Sequence, residues 1–80
     1  MSDQNQPAAT MRWDAGETGC GQLIVGIKQR LDQLQAGEVL EVITRDAGAP
    51  IDIFVWCRMT GQRLLAEAHP VYFIQRNHGC

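Results

Sequence analysis

The chain has 80 residues, of which 45% are hydrophobic and 20% charged, and its formal net charge is −2. A chain of this length forms one small domain, which buries about 60% of the surface that its unfolded form exposes. The weak negative charge and scattered basic residues exclude a nucleic-acid-binding patch. Neither a membrane-spanning apolar segment nor a secretory signal is found, so the sequence predicts a cytoplasmic protein.

The two ends of the chain differ in composition from its centre. Residues 1–10 are polar and contain no apolar stretch, which predicts a disordered tail. Residues 78–80 are expected to fray. A single domain is therefore expected over residues 11–77, and its first strand is predicted at Met11 to Asp14.

A glycine-rich loop is predicted after the first strand, followed by a helix. Three glycines lie within six residues from Gly16 to Gly21, a density that prevents stable regular structure. Apolar residues then recur at steps of three and four, which predicts an amphipathic helix whose first turn lies at or just after Cys20. Gly37 stands just beyond this pattern as its stop. The apolar positions are Leu23, Ile24, Ile27, Leu31 and Leu34.

The second half of the chain contains three strand-like runs and one ambiguous segment. Val39 to Thr44 is β-branched and apolar and predicts a strand. The runs Leu64 to Ala68 and Val71 to Ile74 flank His69-Pro70 and predict a β-hairpin. Ile51 to Cys57 favours a strand slightly by propensity. A helix is the alternative, because Ile53, Trp56, Cys57 and Thr60 fall on one helical face and Pro50 suits the first turn of a helix.

Three widely spaced cysteines indicate reduced thiols, because a disulfide framework requires an even number in a secreted chain. Cys57 lies in an apolar stretch, which favours packing, with a role as a resolving or sensor thiol as the alternative. Cys80 is interpreted as an incidental reactive residue of the tail. The spacing of cysteine and histidine does not match a metal site, and no cofactor-binding motif is found, so we expect neither.

Cys20 is the candidate functional residue because of its position at the start of the first helix. Unpaired backbone N–H groups and the positive end of the helix dipole favour a thiolate there. The neighbouring Gly19 and Gly21 keep bulky side chains away, so a partner protein can approach the sulfur atom.

Several spacings along the chain resemble the TusA/SirA-like family of small sulfur carriers. Asp14 stands six residues before Cys20, as an aspartate stands before the family's Cys-Pro-x-Pro motif. The resemblance covers about Trp13 to Arg76. Two departures are clear: the motif reads Cys20-Gly21-Gln22-Leu23 here, and Glu17 replaces a glycine. The other matching positions are Gly37-Glu38, Asp46, Asp52-Ile53, Cys57 and Thr60-Gly61.

The resemblance implies an α+β fold, a two-layer sandwich with the order β-α-β-α-β-β. Two helices would pack on one face of a four-stranded mixed sheet. On this ground the ambiguous segment is interpreted as a second helix over about Pro50 to Thr60, although Phe54 replaces a proline of the family pattern.

The resemblance also implies a function, a sulfur carrier that bears a persulfide on Cys20, with Asp14, Gly19, Gly21 and Gln22 in support. A cysteine desulfurase or rhodanese-like protein would supply the sulfur, and an acceptor sulfurtransferase would take it for tRNA thiolation, cofactor synthesis or sulfur oxidation. Such a protein is a co-substrate rather than an enzyme.

Two alternatives remain open at this point. The loss of both motif prolines favours a protein-binding or regulatory module that no longer transfers sulfur. A thiol redox switch would instead pair Cys20 with Cys57 or Cys80.

Overall fold

A computed structural model describes residues 8–77, with Cys20 described by its backbone. The element order is β1 (Met11–Gly16), α1 (Cys20–Leu31), β2 (Val39–Thr44), α2 (Ala49–Thr60), β3 (Arg63–Ala68) and β4 (Val71–Gln75). The four strands form one mixed sheet in the order β1-β2-β4-β3. The predicted α+β sandwich is therefore confirmed, and so is the assignment of the ambiguous segment to a helix.

The sheet register explains which side chains face the helices. β1 runs parallel to β2, with Trp13 opposite Val42, and β2 runs antiparallel to β4, with Val42 opposite Tyr72. Because opposite residues share a face, these three side chains lie on the side covered by the helices. Val42 and Tyr72 are fully buried there and belong to one hydrophobic core with residues of both helices.

α1 is shorter than the periodic pattern suggested. The prediction carried the helical pattern to Leu34, but the helix ends at Leu31. The N–H of Leu34 donates to the carbonyl of Leu31 at 3.0 Å, a three-residue step that tightens the chain into a turn. Leu34 is still buried, so the sequence pattern had identified a core residue correctly while misplacing the end of the helix.

α2 begins with Pro50 in its first turn and ends at Gly61, whose φ of 80° is left-handed. Glycine adopts that conformation readily, which makes it a natural helix terminator. Both helices have 12 residues. A membrane-crossing helix needs about 20, and within residues 8–77 no helix is long and apolar enough to cross a membrane.

The ends of the described chain are held by the sheet. The N–H of Thr10 donates to the carbonyl of Val39 at 2.8 Å, which continues the β1–β2 pairing by one residue. The N–H of Asn77 donates to the side chain of Gln62 at 2.8 Å. Cys80 and most of the predicted N-terminal tail lie outside the described residues.

Candidate functional site

The first turns of both helices lie at the same end of the molecule. β1 and β2 are parallel, and each is followed by a helix, so the helices begin at the edge where these strands end. The β3–β4 turn reaches the same edge, because the N–H of Thr44 donates to the carbonyl of Pro70 at 2.8 Å. This edge is called the site edge below, and Cys20 is on it as the first residue of α1.

The N-terminus of α1 leaves its backbone donors open. Gly19 is the N-cap residue and, being glycine, provides no side-chain hydrogen bond, and the first turn holds no acidic residue. Its carbonyl accepts the first helical bond, from the N–H of Leu23 at 2.7 Å. The earlier N–H groups of a helix have no partner within it, and together with the helix dipole they stabilise a nearby anion.

The connection from β1 to α1 is fixed by two local polar contacts. The carboxylate of Asp14 accepts a hydrogen bond from the N–H of Gly16 at 3.0 Å, and Gly16 has a left-handed φ of 60°. The hydroxyl and the N–H of Thr18 both donate to the carbonyl of Ala15, at 2.7 and 3.1 Å. Asp14 therefore shapes the turn that leads to Cys20, and Thr18 holds the loop two residues before it.

The other predicted supporting residues are open to solvent. Gly19, Gly21 and Gln22 are exposed. A Cβ atom added at Gly19 or Gly21 would meet no atom within 4 Å. The absence of a side chain at these positions is therefore not required by packing within the domain. It leaves free space at the start of α1, where a second protein could approach.

A shallow groove joins the start of α1 to α2. Its volume is about 410 Å³, and it is lined by Gly21 and Ile24 from α1 and by Asp52 and Val55 from α2. On α1 the groove begins at Gly21, the residue after Cys20.

Cys57, the predicted second thiol, lies away from this edge. It is 3% exposed and packs in the core on the inner side of α2. Burial raises the pKa of its thiol to about 12, which leaves it protonated and unreactive near neutral pH. Cys57 is eight residues beyond Ala49, the first residue of α2, a distance of about 12 Å along the helix axis. These features favour packing over thiol chemistry for Cys57.

A hydrogen-bonded pair, the exposed His69 and the buried Tyr72, also reaches the site edge. The Nδ1 atom of His69 is hydrogen-bonded to the hydroxyl of Tyr72, and the two rings meet edge to face. Burial, with the charges of Glu67 and Asp46, raises the pKa of Tyr72 to about 12. Sequence reasoning interpreted His69 only as a turn residue, and its three-residue separation from a core tyrosine across a hairpin turn could have indicated the contact.

Two arginines, Arg30 and Arg76, make contacts within the domain. Arg76 donates to the carbonyls of Leu31, Asp32 and Leu34 and so caps the end of α1. The guanidinium of Arg30 lies 3.9 Å from the centre of the Trp13 ring. Neither contact could be predicted from the sequence. Arg76 is at least 42 residues from its partners, and Arg30 meets Trp13 only once α1 packs on the sheet.

Comparison with known proteins agrees with this architecture. The family model described as sulfurtransferase TusA matches residues 11–74. The chain is 40% identical over 57 residues to "Putative sulfur carrier protein YrkF" of Bacillus subtilis, covering 71% of this chain and 31% of that protein. It is 46% identical over 46 residues to "Putative sulfur carrier protein NMA0882" of Neisseria meningitidis, covering 58% of this chain and 62% of that protein.

The match to a third relative covers a larger share of that relative's length. The chain is 35% identical over 54 residues to "Putative sulfur carrier protein YrkI" of Bacillus subtilis, covering 68% of this chain and 72% of that protein. The chain thus spans less than two thirds of the first two relatives and nearly three quarters of the third. The family match over residues 11–74 and the β-α-β-α-β-β order together show that the chain belongs to the TusA family.

Proposed function

We propose that this protein is a sulfur carrier that takes up sulfur as a persulfide on Cys20 and passes it to an acceptor protein. The observation that carries the proposal is the place of Cys20, the first residue of an α1 helix without a side-chain cap, in a chain of the TusA family. The relatives named as sulfur carriers support the same role.

The transfer is a thiol exchange with balanced atoms and electrons. The Cys20 thiolate attacks the outer sulfur of a persulfide on the donor's cysteine, and a bond forms between Cys20 Sγ and that sulfur. The bond between the outer sulfur and the donor's own cysteine breaks, and the donor leaves as a thiolate, which takes up the proton lost by Cys20. One neutral sulfur atom has moved, with no net oxidation or reduction. Attack by an acceptor thiolate on the outer sulfur repeats the step.

The start of α1 suits both ionic forms in this exchange. The attacking thiolate and the persulfide anion each carry a negative charge, which the N-terminal N–H groups of the helix stabilise. The Cys20-Gly21-Gln22-Leu23 sequence provides an N–H at Gly21, where the family's proline has none. Asp14 and Thr18 support the site indirectly by holding the turn before the helix.

The proposed partners are proteins of the cytoplasm. A cysteine desulfurase or a rhodanese-like protein would load Cys20, and a sulfurtransferase in tRNA thiolation, cofactor synthesis or sulfur oxidation would unload it. In this scheme the protein is consumed and regenerated as a co-substrate and uses no cofactor of its own.

Intact mass spectrometry tests the proposal. The protein is incubated with excess glutathione persulfide, or with a cysteine desulfurase and L-cysteine, and compared with Cys20→Ser. The wild type is expected to gain about 32 Da per transferred sulfur, reversibly on reduction. In a Cys80→Ser background, which removes the reactive thiol expected in the tail, Cys20→Ser gains none, whereas Cys57→Ser, which changes a buried thiol, gains as much as the protein with Cys20 and Cys57 intact.

A protein-binding module without sulfur transfer is the second candidate, favoured by the absence of both motif prolines. If wild type gains no sulfur even from excess glutathione persulfide, Cys20 is not an accessible nucleophile and this second candidate replaces the first.

A further inference from the structure

The outward side of α2 is apolar, which is unusual for a surface helix. Ile51 is 71% exposed, Phe54 48%, Val55 44% and Met59 79%. At about 100° per residue, these four side chains and Arg58 occupy an arc of about 140° on the helix. Ala49, Ile53 and Cys57 occupy the opposite side and are buried. The four exposed apolar residues are called the α2 stripe below.

Side chains exposed to this degree gain little free energy from burial within the domain. A surface helix normally presents polar residues to water, and a helix that is apolar all round is usually covered on both sides. Arg58 is the only charged residue of the arc, and its guanidinium lies 5.8 Å from the centre of the Phe54 ring. The stripe is therefore suited to a partner that presents apolar side chains rather than opposite charge.

The stripe is continuous with the start of α1. Val55 belongs both to the stripe and to the groove that it shares with Gly21, the residue after Cys20. Val25 of α1 is a further exposed apolar residue, at 50%. Ile51 is in the first turn of α2, on the site edge, and Met59 lies about 12 Å further along the helix.

A protein that reaches Cys20 covers an area large enough to extend from the start of α1 onto α2. A specific interface covers about 800 Å² on each protein, equivalent to a disc about 16 Å in radius. Sulfur exchange needs the two sulfur atoms in bonding contact, so the partner's surface must be centred near the start of α1. Ile51, in the first turn of α2, and Val55, in the groove beside Gly21, bring the stripe to that end of the molecule.

We propose that the α2 stripe is the docking surface for the protein that donates sulfur to Cys20, and that this donor presents apolar side chains around its own reactive cysteine. The inference rests on the proposed carrier function and adds the surface by which the partner is recognised. Recognition by apolar contact also predicts that the rate of loading changes little between about 0.05 and 0.5 M salt, since screening weakens only charge-driven docking.

The test compares loading by a protein with loading by a small molecule. A double variant, Ile51→Ser with Met59→Ser, removes the two most exposed residues of the stripe, and Leu65→Ser, an exposed leucine of β3, is the matched control. The donors are a cysteine desulfurase with L-cysteine, a rhodanese with thiosulfate, and glutathione persulfide. Rates of mass gain on Cys20 are measured for each, and thermal unfolding checks that all variants fold.

The double variant is expected to load at least about tenfold more slowly from a protein donor that loads the wild type, because a few central apolar residues carry most interface energy. Its rate with glutathione persulfide should be unchanged, and Leu65→Ser should match the wild type with every donor. Failure of glutathione persulfide to load the wild type would instead refute the carrier function itself.

Three results would overturn the docking proposal while leaving the carrier function intact. The first is an unchanged rate of protein-dependent loading in the double variant. The second is loading of the wild type by glutathione persulfide but by neither protein donor. The third is a stable dimer in sedimentation that the double variant dissociates, which would assign the stripe to a second copy of this chain.

Discussion

The two helices of this domain have the same length and pack on the same side of the sheet, yet they present opposite surfaces to water. α1 buries Leu23, Ile27 and Leu31 and exposes polar residues, among them Lys28 and Gln29. α2 buries Ala49, Ile53 and Cys57 and exposes the four apolar side chains of the stripe. α1 is therefore completed by its own domain, whereas α2 still has an apolar face without a partner in the described chain.

This difference explains why the sequence pattern predicted α1 clearly and left the segment of α2 ambiguous. Periodicity identifies a helix only when one face is polar. The α2 stripe fills the face that should be polar, so Ile51 to Cys57 becomes a nearly continuous apolar run with the propensity of a strand. The feature that obscured α2 is the same one that marks it as a docking surface.

The largest expected effect comes from comparing the buried and exposed faces of α2 through two of its isoleucines, Ile53 and Ile51. Ile53→Ala should lower the free energy of unfolding by about 2–5 kcal/mol, because Ile53 is fully buried and truncation leaves a cavity. Ile51→Ala should change it by less than about 0.5 kcal/mol, since Ile51 is exposed. Urea unfolding measures both. A similar loss of unfolding free energy in the two variants would show that Ile51 is packed within the domain, and would contradict the difference between the two faces of α2.

A second pair of variants compares two positions of α1. A Cβ atom at the buried Gly26 would overlap three atoms of the Trp13 indole. Gly26→Ala should therefore destabilise the domain by about 1–3 kcal/mol, as overpacking does. Gly21→Ala is the control, because its Cβ enters open space and the lower backbone entropy of alanine should stabilise the helix by up to about 1 kcal/mol. Equal destabilisation in both would contradict the packing of Trp13 on Gly26.

The third prediction concerns how the helices end. α1 stops without a left-handed glycine at its C-cap, and Arg76 donates to the carbonyls of its last turn, so Arg76→Met should cost about 1–2 kcal/mol in the free energy of unfolding. α2 ends at Gly61, so Arg58→Met near that end should change stability by less than about 0.5 kcal/mol. Chemical denaturation measures the free energy of unfolding of both variants. An Arg76→Met variant as stable as the wild type would show that Arg76 does not cap α1.

The smallest effect is a change in stability at alkaline pH. The pKa of Cys57 is raised from 9.0 to about 12, so its thiol stays protonated in the folded state while the unfolded thiol ionises. This contribution to stability is complete below pH 9 and is lost as the pH rises toward about 12. Tyr72, with its pKa raised from 10.0 to about 12, acts in the same direction.

The free energy of unfolding of Cys57→Ala should therefore fall less steeply above pH 9 than that of the wild type. Urea titrations at a series of pH values measure the slopes, and Cys20→Ala, at the exposed end of α1, is the control. Parallel slopes for wild type and Cys57→Ala would contradict the burial of this thiol.

Much of the fold was predictable because its determinants are local. Val39–Thr44 was predicted as a strand with the bounds that the structure has, since a β-branched run flanked by turn residues leaves little choice. The hairpin around His69-Pro70 and the first helix were confirmed for the same reason, and the family resemblance identified the element order. For the candidate site, the sequence predicted the position of Cys20 at the start of α1, while its role as a sulfur-bearing residue stays a prediction.

Tertiary structure decided the features that depend on residues far apart in the chain. Leu34 keeps the spacing of α1 but lies beyond its end, where its carbonyl accepts a hydrogen bond from Arg76, 42 residues later. The packing of Trp13 against Gly26 and the groove between Gly21 and Val55 likewise exist only once the helices are packed. The sequence by itself determined which residues are apolar and at what local period, since backbone sterics and burial act on neighbours. Only the packed structure decided which apolar residues of α2 are covered and which remain exposed beside the start of α1.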